Sequence, residues 1–236
     1  MTQTQRWLTE SLRFSLLGTA PEGGKIAWSS LTGHEPDSVT NRPAQQLSIE
    51  EGTWEGLQLV VTGQPGRIDI ALSAVPKDFT GLPNLGEFAE ISLKFERLLG
   101  NVTLPAVSRL AMGATINTFP GSVENSNLQF RKLVPELSLA DEVSDVMIQL
   151  NRAKKFPKLS GFVMNRLTKW AQLITQTIQI QNHEQQVAPK QSHLIQLELD
   201  FNTHPASKLP HPSSYVGIVA ALFDEARLTV AGAENG

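Results

Sequence analysis

The amino-acid sequence predicts an α+β protein in which antiparallel sheet carries helices packed on one face. Three observations lead there. Several segments alternate apolar and polar residues with a period of two, the pattern of a strand with one buried face. Two others carry an apolar stripe at helical spacing. The strands keep one polar face, which favours antiparallel sheet partly open to water or to a partner over a parallel sheet covered on both sides.

The strands come first. Ile68, Ile70, Leu72 and Ala74 alternate with Arg67, Asp69, Ala71 and Ser73. Before them, Leu57, Leu59 and Val61 lead into Gly63-Gln64-Pro65-Gly66, a turn signal that makes residues 54–74 a hairpin in which Trp54 opens the first strand. Leu110, Met112, Ala114 and Ile116 repeat the alternation, as do Val146, Ile148 and Leu150. In residues 193–201, Ile195, Leu197, Leu199 and Phe201 face one way, and Gln196, Glu198 and Asp200 the other. Residues 164–181 suit either period, but their threonines and isoleucines, and the polar stretch 182–192 that follows, favour a long strand in a hairpin.

Two helices are nearly as plain. Asn84-Leu85-Gly86-Glu87 has capping-box spacing; Phe88, Ile91, Phe95, Leu98 and Leu99 then form a stripe, and Gly100 stands at the C-cap. The second helix starts near Ser213 or Ser214, with Val216, Val219, Ala220 and Phe223 on one face. A shorter helix is expected over residues 127–134, stopped by Pro135. This map contains an internal echo, because strand, strand and helix recur after Trp54 and after Trp170. Two pseudo-repeated β-β-α units would give halves 1–105 and 106–236 of a single domain, 1–236. Strand–strand–helix order is also common in any α+β protein.

Composition narrows the class. Of 236 residues, 40% are hydrophobic and 18% charged, which suits a packed globular chain and not a disordered one. No apolar run approaches the roughly 20 residues of a membrane span, and the first residues lack the pattern of an export signal. There is no cysteine, which excludes disulfides, thiolate metal sites and a cysteine nucleophile. The expectation is a cytoplasmic protein without a cofactor and without membrane contact.

Catalytic signatures are thin. Neither GxxxxGK[ST] nor a strand-borne GxGxxG occurs, and Gly23-Gly24-Lys25 reads as a turn. Leu159-Ser160-Gly161 is too short to mark a nucleophile. His34, His183, His193, His204 and His211 form no HxH, HxxxH or HExxH pair. Asp200, His204 and His211 flank a proline-rich turn and could support metal-assisted hydrolysis. Glu198 and Asp200 share the polar face of one strand, where solvated carboxylates are equally at home.

Charge is uneven. Net charge is −3, yet residues 146–183 hold no acid and six bases: Arg152, Lys154, Lys155, Lys158, Arg166 and Lys169. Taking +6 from −3 leaves −9 for the rest. With Phe156 and Trp170 among them, these cations could bind a phosphate backbone. Lys154–Lys158 also reads as a hairpin tip, where basic residues serve solubility.

Phe88–Leu99, Arg109–Asn117, Leu197-Glu198-Leu199-Asp200 and Leu222-Phe223-Asp224-Glu225 occur in an order that resembles a sporadically distributed family of uncharacterised bacterial proteins of about this length. The aromatic and basic residues that the family pattern carries near Ala114–Thr118 are missing here. The resemblance implies no activity; a patchy distribution points to accessory roles such as defence or toxin–antitoxin modules. The sequence therefore leads to a non-enzymatic interaction protein that binds another polypeptide or itself through an exposed sheet face or edge. Gln172, Gln176, Gln179, Gln181 and Gln196 are its expected outward hydrogen-bonding positions. Nucleic-acid binding by the basic segment is the alternative, and the metal-assisted hydrolase the second.

Overall fold

A computed structural model describes residues 6–19, 25–75, 82–135, 140, 143–156, 162–177 and 190–234. These residues form β1 (Leu8–Leu17), α1 (Trp28–Thr32), β2 (Ser38–Arg42), β3 (Leu47–Trp54), β4 (Leu57–Gln64), β5 (Arg67–Ser73), α2 (Phe88–Leu99), β6 (Arg109–Thr118), α3 (Val123–Leu133), β7 (Met147–Lys155), β8 (Val163–Thr177), β9 (Lys190–Thr203) and α4 (Tyr215–Glu234). The strands make one antiparallel sheet of nine, ordered β2-β3-β4-β5-β1-β6-β9-β8-β7.

Register divides this sheet into two faces, because directly opposed residues of antiparallel strands point the same way. One row runs Leu59–Leu72–Leu12–Ala114–Leu199–Thr168–Leu150, and the next Val61–Ile70–Phe14–Met112–Phe201–Arg166–Arg152. Leu12, Phe14, Ile70, Leu72, Met112 and Phe201 in these rows have no exposed surface. Helices cover them. Phe223 of α4 stacks on Phe14 at 6.4 Å and meets Phe95 of α2 edge-on at 6.1 Å. The Trp28 indole of α1 donates to the Leu59 carbonyl at 3.3 Å. In α3, Asn127 accepts from Gln172 of β8. Burial of this apolar face is the main stabilising term.

The α+β class, the antiparallel sheet and the strand reading of residues 164–177 agree with the sequence analysis; residues 178–181 lie outside the described residues. Trp170 is core, 5% exposed and edge-on to Trp7 at 5.9 Å. Several boundaries differ. Trp54 closes β3 and does not open β4. Between them, Glu55 and Gly56 have φ 48° and 78°, the two left-handed residues of a tight hairpin turn. The N-cap of α2 is Glu87, without a side-chain cap bond, so Asn84 is no capping-box residue; Gly100 at the other end is right-handed, with φ −69°. Helix α3 begins four residues before the expected Asn127, where the Ser122 hydroxyl accepts from the Asn125 N–H at 3.2 Å. In α4 Val219 and Phe223 are buried as expected, but Val216 is 69% exposed, and Ile218, Leu222 and Ala226 complete the buried face. Of the glutamines expected to point outward, Gln172 is buried under α3, and Gln179 and Gln181 are outside the described residues.

Candidate binding face

The second face of the sheet is built from the intervening residues. Across its centre one row runs Val60–Ala71–Arg13–Gly113–Asp200–Leu167–Asn151. The row on one side is Thr62–Asp69–Ser15–Ala111–Asn202–Asn165–Ala153, and on the other Gln58–Ser73–Ser11–Thr115–Glu198–Lys169–Gln149. Arg13 is therefore ringed by Ala71, Gly113, Ser11, Ser15, Ser73, Asp69, Thr115 and Ala111, all short side chains or none.

The polar groups here are mostly tied to one another. Asp69 accepts from Arg67 Nε at 2.6 Å and from the Ser15 hydroxyl. Lys169 Nζ bonds Glu198 at 2.8 Å across β8 and β9. Asn202 Oδ1 accepts from Arg109 at 2.7 Å and from Asn165 at 3.2 Å, while its amide donates to Asp200 Oδ1 at 2.9 Å. Glu10, at a bulge in β1, accepts from Asn117 at 2.9 Å, and the Gln196 amide donates to Asn117. Arg13 alone among the charged side chains in these central rows has no hydrogen bond or ion pair with the described residues. It lies down over Gly113, whose added Cβ would meet Arg13 Nη2 at 3.4 Å.

The basic segment does not gather into one surface. Register turns Arg152, Lys154 and Arg166 toward the helices, and Lys155 and Lys169 toward the open face. Lys154 lies inside β7, not at a hairpin tip, and its Nζ reaches Glu225 of α4 at 2.7 Å. Arg166 Nε lies 2.9 Å from the other oxygen of Glu225, off the hydrogen-bond direction, so the contact is coulombic. Its Nη2 donates to Thr229 at 3.0 Å, and its guanidinium sits 5.6 Å from the centre of the Phe201 ring. Glu225 is 4% exposed, and these cations offset the cost of burying it. Lys169 is held by Glu198; Lys158 is outside the described residues. Three of the six cations thus already serve a carboxylate of the chain.

The candidate metal residues take separate tasks. Asp200 stands on the open face, bonded by Asn202. His204 Nδ1 accepts from the Ala206 N–H at 3.1 Å, and His211 caps the short 3-10 turn Pro212–Ser214 from the N-cap position. No group of three His, Asp or Glu side chains placed to hold a metal occurs among the described residues. No helix among them is long and apolar enough to cross a membrane. A groove of about 640 Å³ between α2 and α4 is lined by Pro212 and Ser213, next to His211, and one of about 600 Å³ lies at the ends of β3–β5; Asp200, His204 and His211 themselves line neither. No protein-family model matches the chain, and no curated protein matches it.

Arg13 was missed in the sequence, although a signal was there. Leu12, Phe14 and Leu16 alternate with Ser11, Arg13 and Ser15, the same period of two that marked the other strands.

Proposed function

We propose that this protein is a non-enzymatic interaction subunit that engages another polypeptide, or a copy of itself, through the open face of its sheet. The observation that carries the reading is Arg13, a charge without a partner among the described residues, at the middle of a field of short side chains. Opposite charges paired across strands stabilise a sheet face, as Lys169 and Glu198 do here. Short side chains let a second polypeptide approach the backbone plane, and the unpartnered guanidinium favours a carboxylate there. Both edge strands, β2 and β7, also end the sheet without a strand partner among the described residues.

We also infer that the two pseudo-repeated β-β-α units, β4-β5-α2 and β8-β9-α4, belong to two halves related by duplication. Outward from the centre, the first half runs β1-β5-β4-β3 and the second β6-β9-β8-β7, and each half closes with a helix, α2 or α4. The same order of pairing in both halves supports a duplication. It sets β1 and β6 side by side and brings both halves into one continuous face.

The test is affinity purification of the tagged full chain from its native host, beside an Ala71→Trp variant that fills the open face. Wild type is expected to bring down a stoichiometric polypeptide or itself, and the folded variant to lose it. Recovery of wild type alone and monomeric refutes the proposal.

A further inference from the structure

The open face carries a self-complementary pattern. Resting on the reading of that face as a docking surface, we propose that its partner is a second copy of this chain, packed face to face about a two-fold axis along β6 through Gly113. Arg13 and Asp200 stand in register with Gly113 from opposite sides, on β1 and β9. Rotation about an axis along β6 lays β1 of one copy over β9 of the other. Each Arg13 then faces the partner's Asp200, and the two pairs form at once, as a closed two-fold interface requires. Within one copy this pair is not made: Asp200 accepts from the Asn202 amide, and Arg13 has no partner among the described residues.

Side-chain size follows the same symmetry. The rotation also lays β5 over β8, so Ala71 and Ser73 on one copy oppose Leu167 and Lys169 on the other. Short side chains on one half of the face meet long ones on the other half, which lets the two surfaces interdigitate. At the axis itself β6 offers Ala111, Gly113 and Thr115, short side chains or none, and the Arg13 guanidinium that lies over Gly113 has to swing off the axis to reach the partner's carboxylate. Seven strands at about 4.8 Å and three rows at about 6.8 Å make a patch of roughly 700 Å² per copy. That is roughly 1,400 Å² in total, toward the small end of specific interfaces, and it suits a reversible dimer.

Charge exchange tests this. Sedimentation equilibrium of the full chain from about 1 µM to about 200 µM covers the affinities of an interface this size. Wild type is expected to pass from monomer to dimer. Arg13→Asp and Asp200→Arg, each folded by circular dichroism, are each expected to weaken the dimer at least roughly tenfold by setting like charges together. An equimolar mixture of the two variants is expected to regain it, because every position then meets an opposite charge. A wild type that stays monomeric, single variants that dimerise as wild type does, or a mixture without recovery overturns the inference. A monomeric wild type that still retains a different stoichiometric polypeptide, lost on Ala71→Trp, overturns the second copy alone and leaves the docking face standing.

Discussion

Replacing Glu225 with glutamine removes one negative charge at constant shape from a position 4% exposed. The change leaves Lys154 and Arg166 without their shared counter-charge. Breaking a fully buried pair costs about 3–5 kcal/mol, but neither cation here is fully buried. The Lys154 side chain is 41% exposed and can turn into water, so its share is small, below about 1 kcal/mol. Arg166, at 22%, keeps its bond to Thr229 and its place over the Phe201 ring, yet loses the carboxylate that offsets its charge. The expected loss is about 2 kcal/mol, which for a chain of this size lowers Tm by about 4–8 °C. Urea unfolding followed by far-ultraviolet circular dichroism measures it, with Lys154→Met as the milder control. Methionine at both 166 and 225 is expected to recover most of the loss, since neither charge then remains to be desolvated. A Glu225→Gln midpoint indistinguishable from wild type, at unchanged slope, refutes the reasoning.

Three further substitutions probe other joints of the fold. Gly52→Ala puts a Cβ 2.9 Å from both the Asp37 backbone nitrogen and the Trp28 ring, so a loss of about 1–3 kcal/mol is expected in thermal melts. Ser122→Ala removes the N-cap of α3 and is expected to cost about 1 kcal/mol; faster amide exchange in the first turn of that helix is the local readout. Gln172→Leu deletes the donor to Asn127 and the acceptor for the Val146 N–H, at about 1–3 kcal/mol. An unchanged urea midpoint for that variant would mean that the network does not tie α3 to β8.

The class of fold and most of the strands follow from periodicity along the chain. Alternation in residues 67–74, 110–116 and 193–201 depends only on which residues must leave water, and that is a local property with a period of two. The same holds for the stripe of α2, which buries Phe88, Ile91, Phe95, Leu98 and Leu99 as its spacing requires. Caps were less legible: Asn84 had the right spacing, but the Leu8–Glu87 bridge and the bonds of β1 to Leu85 and Gly86 start the helix later. Where the charges go depends on contacts between distant segments. In sequence, Lys154 and Arg166 belong to a basic run; in space, Glu225, far along the chain, captures both. Arg13 and Asp200 stand far apart in the chain, and only the pairing of β1 and β9 on either side of β6 brings them beside Gly113. Periodicity says which face of a strand is wet. It takes the order of the strands to say which wet residues are neighbours, because that order rests on contacts between distant segments that no local pattern encodes.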